Sequence, residues 1–163
     1  MSYRVYNVLF VSSGSAATGL MAESILGHVG SPRFAARSAS ICPSEHASPI
    51  AIDELWNRGY PTLDLGVKSA AEFARPGSPP LDIVVTVGHE LAQDEAPAWP
   101  GSPLTVVWDI AAPEMAASDE GQLRRTIGQV CQQIEDKVKR LVAMPLDRLD
   151  RSVAAARLQA LNA

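Results

Sequence analysis

The chain has 163 residues, of which 47% are hydrophobic and 20% charged, and its net charge is -4. This length and composition are typical of one domain with a packed core, and they exclude a disordered or low-complexity chain. The basic residues form no block along the sequence. We therefore do not expect nucleic acid as a partner, because binding to phosphates needs clustered Lys and Arg side chains.

The sequence also bears on compartment and on metal chemistry. The amino-terminal apolar run lacks the long hydrophobic region and cleavage site of a signal peptide, and no segment reaches the ~18 consecutive apolar residues of a membrane span. We therefore expect a cytoplasmic protein with no membrane contact. The two cysteines, Cys42 and Cys131, have no metal-ligand spacing and the three histidines are scattered, so no metal site is predicted.

Short runs rich in β-branched residues alternate with helical patterns along the chain. Such alternation indicates an α/β fold, with a four-stranded parallel sheet flanked by helices on both faces. The predicted strands are residues 5–11, 34–39, 82–87 and 104–110. The predicted helices are residues 19–29, 48–58 and 119–143, with a short helix over 69–74.

The last two helical patterns define the carboxyl-terminal part of the chain. The apolar stripe of the helix over 119–143 includes Cys131, which is therefore predicted to be a core residue. We divide the chain into a domain over residues 1–145 and a helical extension over residues 146–163. The amphipathic extension either packs on the domain or is available to a partner, including a second copy of the chain.

The loop between the first strand and the first helix is rich in small residues, from Ser12 to Thr18. A turn that enters a helix N-terminus gathers backbone N–H groups around an anion. The signal is weak by itself. Neither a Gly-Lys-Ser/Thr phosphate loop nor GxGxxG is present, so no nucleotide or other cofactor is predicted.

Short segments in a fixed order carry a broader resemblance. They include VLFV before the loop, AESIL at 22–26, RSAS at 37–40, and WPGSP at 99–103 before a strand containing Trp108. In these segments the chain resembles the low-molecular-weight tyrosine phosphatases and the thioredoxin-coupled arsenate reductases, the later segments more the reductases. The resemblance implies the three-layer α/β/α fold of that family.

The resemblance also implies where the family's chemistry would be. In the family, a cysteine thiolate attacks phosphorus or arsenic, an arginine after five intervening residues holds the oxyanion, and a distant aspartate protonates the leaving group. In this sequence the cysteine position is Ser12, the arginine position is Thr18 and the serine after it is Gly19. The aspartate position is Ala112, and the nearest carboxylate is Asp109.

The arsenate reductases need two further cysteines to pass a disulfide outward. The matching positions here are Gly88 and the region of Ala96. Since every chemical role is replaced, we interpret the chain as a catalytically inactive relative that serves as a binding or regulatory module. Its loop is predicted to retain a site for phosphate, sulfate or arsenate, formed by Ser12, Ser13, Gly14, Ser15, Ala16, Ala17 and Thr18.

Two other interpretations stay open. In the first, the chemistry has moved to Cys42, which follows the second predicted strand, with His46 as its activating base. In the second, the chain keeps weak phosphatase or arsenate reductase activity.

Overall fold

The computed structural model describes residues 4–13, 15–41, 48–63, 65–91 and 97–161. Four parallel strands form one sheet in the order β2-β1-β3-β4. The strands are β1 (Tyr6–Ser12), β2 (Phe34–Ser40), β3 (Ile83–Gly88) and β4 (Leu104–Asp109). The α-helices are α1 (Ala16–Val29), α2 (Pro49–Asn57), α3 (Glu120–Val142) and α4 (Arg151–Ala160), and 3-10 helices cover Ala70–Phe73, Pro113–Ala116 and Leu146–Arg148.

The predicted fold class is confirmed, and each predicted strand agrees with the structure to within one residue at either end. The first helix differs, because it begins at Ala16 and not at Gly19. Ser15 is its N-cap, and the Ser15 side chain accepts a hydrogen bond from the Ala17 amide. A serine cap followed by two alanines favours an early helix start, so half of the predicted loop is the first turn of α1.

The two faces of the sheet are covered differently. On one face, β-strand residues such as Phe10 and Trp108 pack with all four α-helices in one large core cluster. On the other face, a smaller cluster joins Leu9 and Val84 to the 3-10 helix Ala70–Phe73. Residues of the larger cluster include Cys131, which is fully buried as predicted.

Helix α4 packs along β4, which is one of the two edge strands of the described sheet. Its residues Ala154 and Leu158 are buried in the larger cluster. The Gln159 side-chain amide donates to the Val107 carbonyl and accepts from the Val107 amide, both at 3.3 Å. These bonds occupy backbone groups that an edge strand otherwise leaves unpaired. The extension is therefore docked on the domain, and much of its apolar face is used within the chain.

No helix within the described ranges is both long enough and apolar enough to cross a membrane.

Removing the Leu158 side chain should show how much the fold depends on α4. Leu158 is fully buried, so Leu158→Ala should lower the free energy of unfolding by about 2–4 kcal/mol through lost burial and a cavity. The matched control is Val153→Ala in the same helix, where the side chain is exposed and the change should be small. Urea denaturation followed by circular dichroism measures both, and equal effects of the two variants would contradict a docked α4.

Candidate functional site

The predicted site lies at the carboxyl-terminal edge of the sheet, at the end of β1. This strand is central, because β2 pairs with it on one side and β3 on the other. The chain passes from β1 to β2 on one side and then crosses to β3 on the other side of β1, and ligands of parallel α/β sheets bind in the crevice at such a point. The loop from β1 to α1 therefore occupies the position where the fold places ligand sites.

Ser12, at the cysteine position, has its hydroxyl directed at helix α1. The side chain is buried, and Oγ accepts a hydrogen bond from the Gly19 amide at 3.0 Å. A Cβ atom at position 19 would lie 2.3 Å from Ser12 Oγ, closer than non-bonded atoms approach. Glycine at position 19 thus makes room for the serine hydroxyl in this orientation.

Thr18, at the arginine position, contributes to the first turn of α1. Its Oγ1 donates to the Ser15 carbonyl at 2.8 Å, and its backbone amide also donates to this carbonyl at 3.3 Å. The side chain is buried and carries no charge. The Thr18 side chain is therefore bonded within the first turn of α1 and offers no guanidinium to an anion.

A carboxylate reaches the loop from a residue that the sequence analysis did not select. Ala112 is the N-cap residue of the 3-10 helix Pro113–Ala116, and Glu114 within this helix accepts a hydrogen bond from Ser15 Oγ at 2.8 Å. Its charge lies next to the N-terminus of α1, where the helix dipole stabilises an anion. The available sequence signal was an acidic residue two positions beyond the family's aspartate position.

The other end of the loop is fixed to β3. Ser13 Oγ donates to the His89 carbonyl at 2.7 Å and accepts from the His89 amide at 2.8 Å. The Ser13 amide donates to the Val87 carbonyl at 3.2 Å. Gly88, at the position of a relay cysteine, ends β3 with a φ of 128°, a conformation that favours glycine.

Several backbone amides of the predicted anion site are used inside the chain. Those of Ser13, Ala17 and Thr18, and the amide of the neighbouring Gly19, all donate to acceptors of the protein. Gly14 lies outside the described residues. An anion in this loop must therefore use other amides or displace these acceptors, and the oxyanion site stays a prediction.

The two cysteines have different standing. Cys42, together with His46, lies outside the described residues. Burial raises the pKa of the Cys131 thiol to about 11, although the nearby Arg58 guanidinium acts in the opposite direction. Cys131 is a core thiol, inert at neutral pH because the thiolate is the reactive form. No group of three or more potential metal ligands occurs among the residues that the structure describes.

Most of the chain matches a known protein family. Residues 7–155 match the family model of the low molecular weight phosphotyrosine protein phosphatases. The chain belongs to this family. A comparison with curated proteins found no match.

Solved structures support the same fold. A structure described as an arsenate reductase in the phosphate binding state is 20% identical, with a TM-score of 0.66 over 85% of this chain and 98% of that chain. An arsenate reductase from Archaeoglobus fulgidus is 24% identical, with a TM-score of 0.58 over 81% and 98% of the two chains. A low molecular weight protein tyrosine phosphatase from T. tengcongensis is 18% identical, with a TM-score of 0.59 over 88% and 99%. At these identities the likeness shows the fold of the phosphatase family.

Neutralising Glu114 should increase the affinity of the loop for phosphate. The Glu114 carboxylate repels an oxyanion in the adjacent loop, so Glu114→Gln should tighten phosphate binding roughly fivefold, as expected for ~1 kcal/mol of charge repulsion near a surface. Isothermal titration calorimetry with phosphate at low salt measures the change. The control is Glu72→Gln, the same charge change at another exposed glutamate, which should leave the affinity unaltered. Unchanged phosphate affinity in Glu114→Gln would show that this carboxylate does not act on the loop.

Burial should protect the Cys131 thiol from chemical modification. Because its pKa is raised by burial, Cys131 should not react with an aromatic disulfide reagent at pH 8 in the folded protein, and should react only after unfolding in denaturant. Peptide mapping of the labelled protein assigns the modified residue. Rapid labelling of Cys131 in the native protein would contradict its place in the core.

Proposed function

We propose that this phosphatase-family chain is a non-catalytic binding or regulatory module whose loop has at most weak affinity for a small oxyanion. The observation that carries the proposal is the state of Ser12, whose hydroxyl is buried and hydrogen-bonded to the Gly19 amide. The residue at the nucleophile position is thereby used as a structural contact between β1 and α1.

The chemistry available to Ser12 supports this proposal. A serine hydroxyl attacks a substrate only when a neighbouring base removes its proton. Within the described part of the chain, no histidine or carboxylate side chain forms a hydrogen bond with Ser12 Oγ. His89 is exposed, and its ring nitrogen Nδ1 is near the Glu90 carbonyl. The residues that the structure describes therefore provide no base that would activate this serine.

The charges around the loop support weak oxyanion binding. An arginine fork contributes about 1.5–3 kcal/mol per charge-assisted hydrogen bond, and Thr18 supplies none of this. Glu114 adds a negative charge close to Ser15. Phosphate is the first anion to test, because one similar structure is described as an arsenate reductase in a phosphate binding state.

The alternative is a family enzyme with weak or relocated chemistry, including chemistry at Cys42. The decisive experiment measures hydrolysis of an aryl phosphate, and reduction of arsenate with thioredoxin, by the wild-type protein beside a Cys42→Ser variant. The proposal expects background rates from both proteins. Turnover above background that Cys42→Ser abolishes would replace the proposal with relocated chemistry, and turnover that survives this change would indicate retained family activity.

Restoring the family's residues should separate binding from turnover. The double variant Ser12→Cys/Thr18→Arg should bind phosphate at least tenfold more tightly, because the arginine adds charge-assisted hydrogen bonds. Turnover should stay near background until Ala112→Asp supplies a proton donor. The matched control is Ser12→Cys alone, which lacks the clamp. A double variant that binds phosphate no better than this control would indicate that the loop cannot close around an anion.

A further inference from the structure

A cavity lies at the end of the sheet opposite the loop, where the amino-terminal ends of three strands meet. It is lined by the first residues of β1, β3 and β4, which are Tyr6, Ile83 and Leu104, and by the segment that enters α4. Because the strands are parallel, this edge is remote from Ser12, which ends β1. We call it the amino-edge cavity. Its volume is about 290 Å³, which is near the small end of ligand pockets.

The amino-edge cavity combines apolar walls with two cations. Leu146 and Leu149 join Ile83 and Leu104 on its walls, while the guanidinium groups of Arg4 and Arg151 lie on its lining. Such a combination of hydrocarbon surface and a few placed polar groups is typical of sites for small organic molecules.

The charged residues that line the cavity, two arginines and one aspartate, give it a net positive charge. The acidic lining residue, Asp82, has both oxygens in use, since Oδ1 accepts from Arg4 at 2.6 Å and Oδ2 accepts from the Asn7 amide at 2.7 Å. Arg151 donates one hydrogen bond, from Nη2 to the Ser102 carbonyl at 2.6 Å. Each guanidinium has five N–H donors, so both arginines retain donors for an anionic ligand.

Tyr6 contributes an aromatic side chain to the lining. The residue borders the amino-edge cavity and is only 7% exposed. Its hydroxyl is shielded even from water-sized atoms, so the ring and not the hydroxyl is available to a ligand.

We propose that the amino-edge cavity binds a small carboxylate with an apolar body, held at its carboxylate by Arg4 and Arg151. The hydrocarbon part lies against the leucine and isoleucine walls. This site is independent of the loop at Ser12 and of the proposed loss of catalysis.

The test uses hexanoate as the probe, with 1-hexanol and inorganic phosphate as comparison ligands. Binding to the full chain is measured by amide chemical shifts and by calorimetry. Hexanoate should bind saturably and shift the amides of residues 146–154, and both comparison ligands should bind at least tenfold more weakly. Arg151→Gln should weaken hexanoate binding about tenfold, as expected for loss of a charge-assisted contact. The matched control is Arg157→Gln, a change at an exposed arginine further along α4, which should retain the wild-type affinity.

A further variant keeps the test independent of folding defects. Arg4→Gln repeats the charge removal at the residue two positions before β1 if Arg151→Gln does not fold. Equal binding of hexanoate and hexanol, unchanged affinity in the folded arginine variants, shifts confined to residues 13–19, or no binding at millimolar hexanoate would each overturn the proposal.

Discussion

The close contact between Ser12 and Gly19 is the constraint on which the site depends. It joins the end of the central strand to the second turn of α1, and it works only because position 19 has no Cβ atom. A serine at position 19 would place its Cβ 2.3 Å from the hydroxyl oxygen of Ser12. A substitution at position 12 or 19 therefore changes which side chain the other position can accommodate.

Around this contact, the loop is held by hydrogen bonds of its own residues. Ser13 fastens it to His89 after β3, and Ser15 fastens it to Glu114 after β4. A carboxylate at the N-terminus of α1 provides the negative charge that the helix dipole favours. Several donors of the loop are thus already bonded to acceptors of the protein, among them the Glu114 carboxylate. We therefore expect the loop to bind an external oxyanion weakly.

Much of the packing that holds the fold together lies outside the loop from Ser12 to Thr18. The stability of the fold comes from the large cluster between the sheet and the α-helices, and from contacts such as those of Arg58. This arginine is the C-cap of α2. It forms ion pairs with Glu54 of α2 at 2.6 Å and with Glu135 of α3 at 3.1 Å. These interactions join α2 to α3 and involve no residue of the loop from Ser12 to Thr18.

The sequence predicted the features that depend on local pattern. Buried β-branched runs identify the strands, and a 3.6-residue stripe places Cys131 in the core of α3. It did not predict contacts between residues distant in sequence. The bond from Ser15 to Glu114, the link from Ser13 to His89 and the docking of Leu158 each join segments whose approach is decided by tertiary packing. The early start of α1 has a local cause, because Ser15 caps the helix although the run of small residues predicts a loop there.

A crystal structure of the loop at high resolution, determined with and without phosphate at neutral pH, tests the central claim most directly. The account predicts Ser12 Oγ within hydrogen-bond distance of the Gly19 amide, and Glu114 on Ser15, in both crystals. A phosphate cradled by the loop with Ser12 Oγ turned towards its phosphorus atom, and Glu114 displaced, would contradict it.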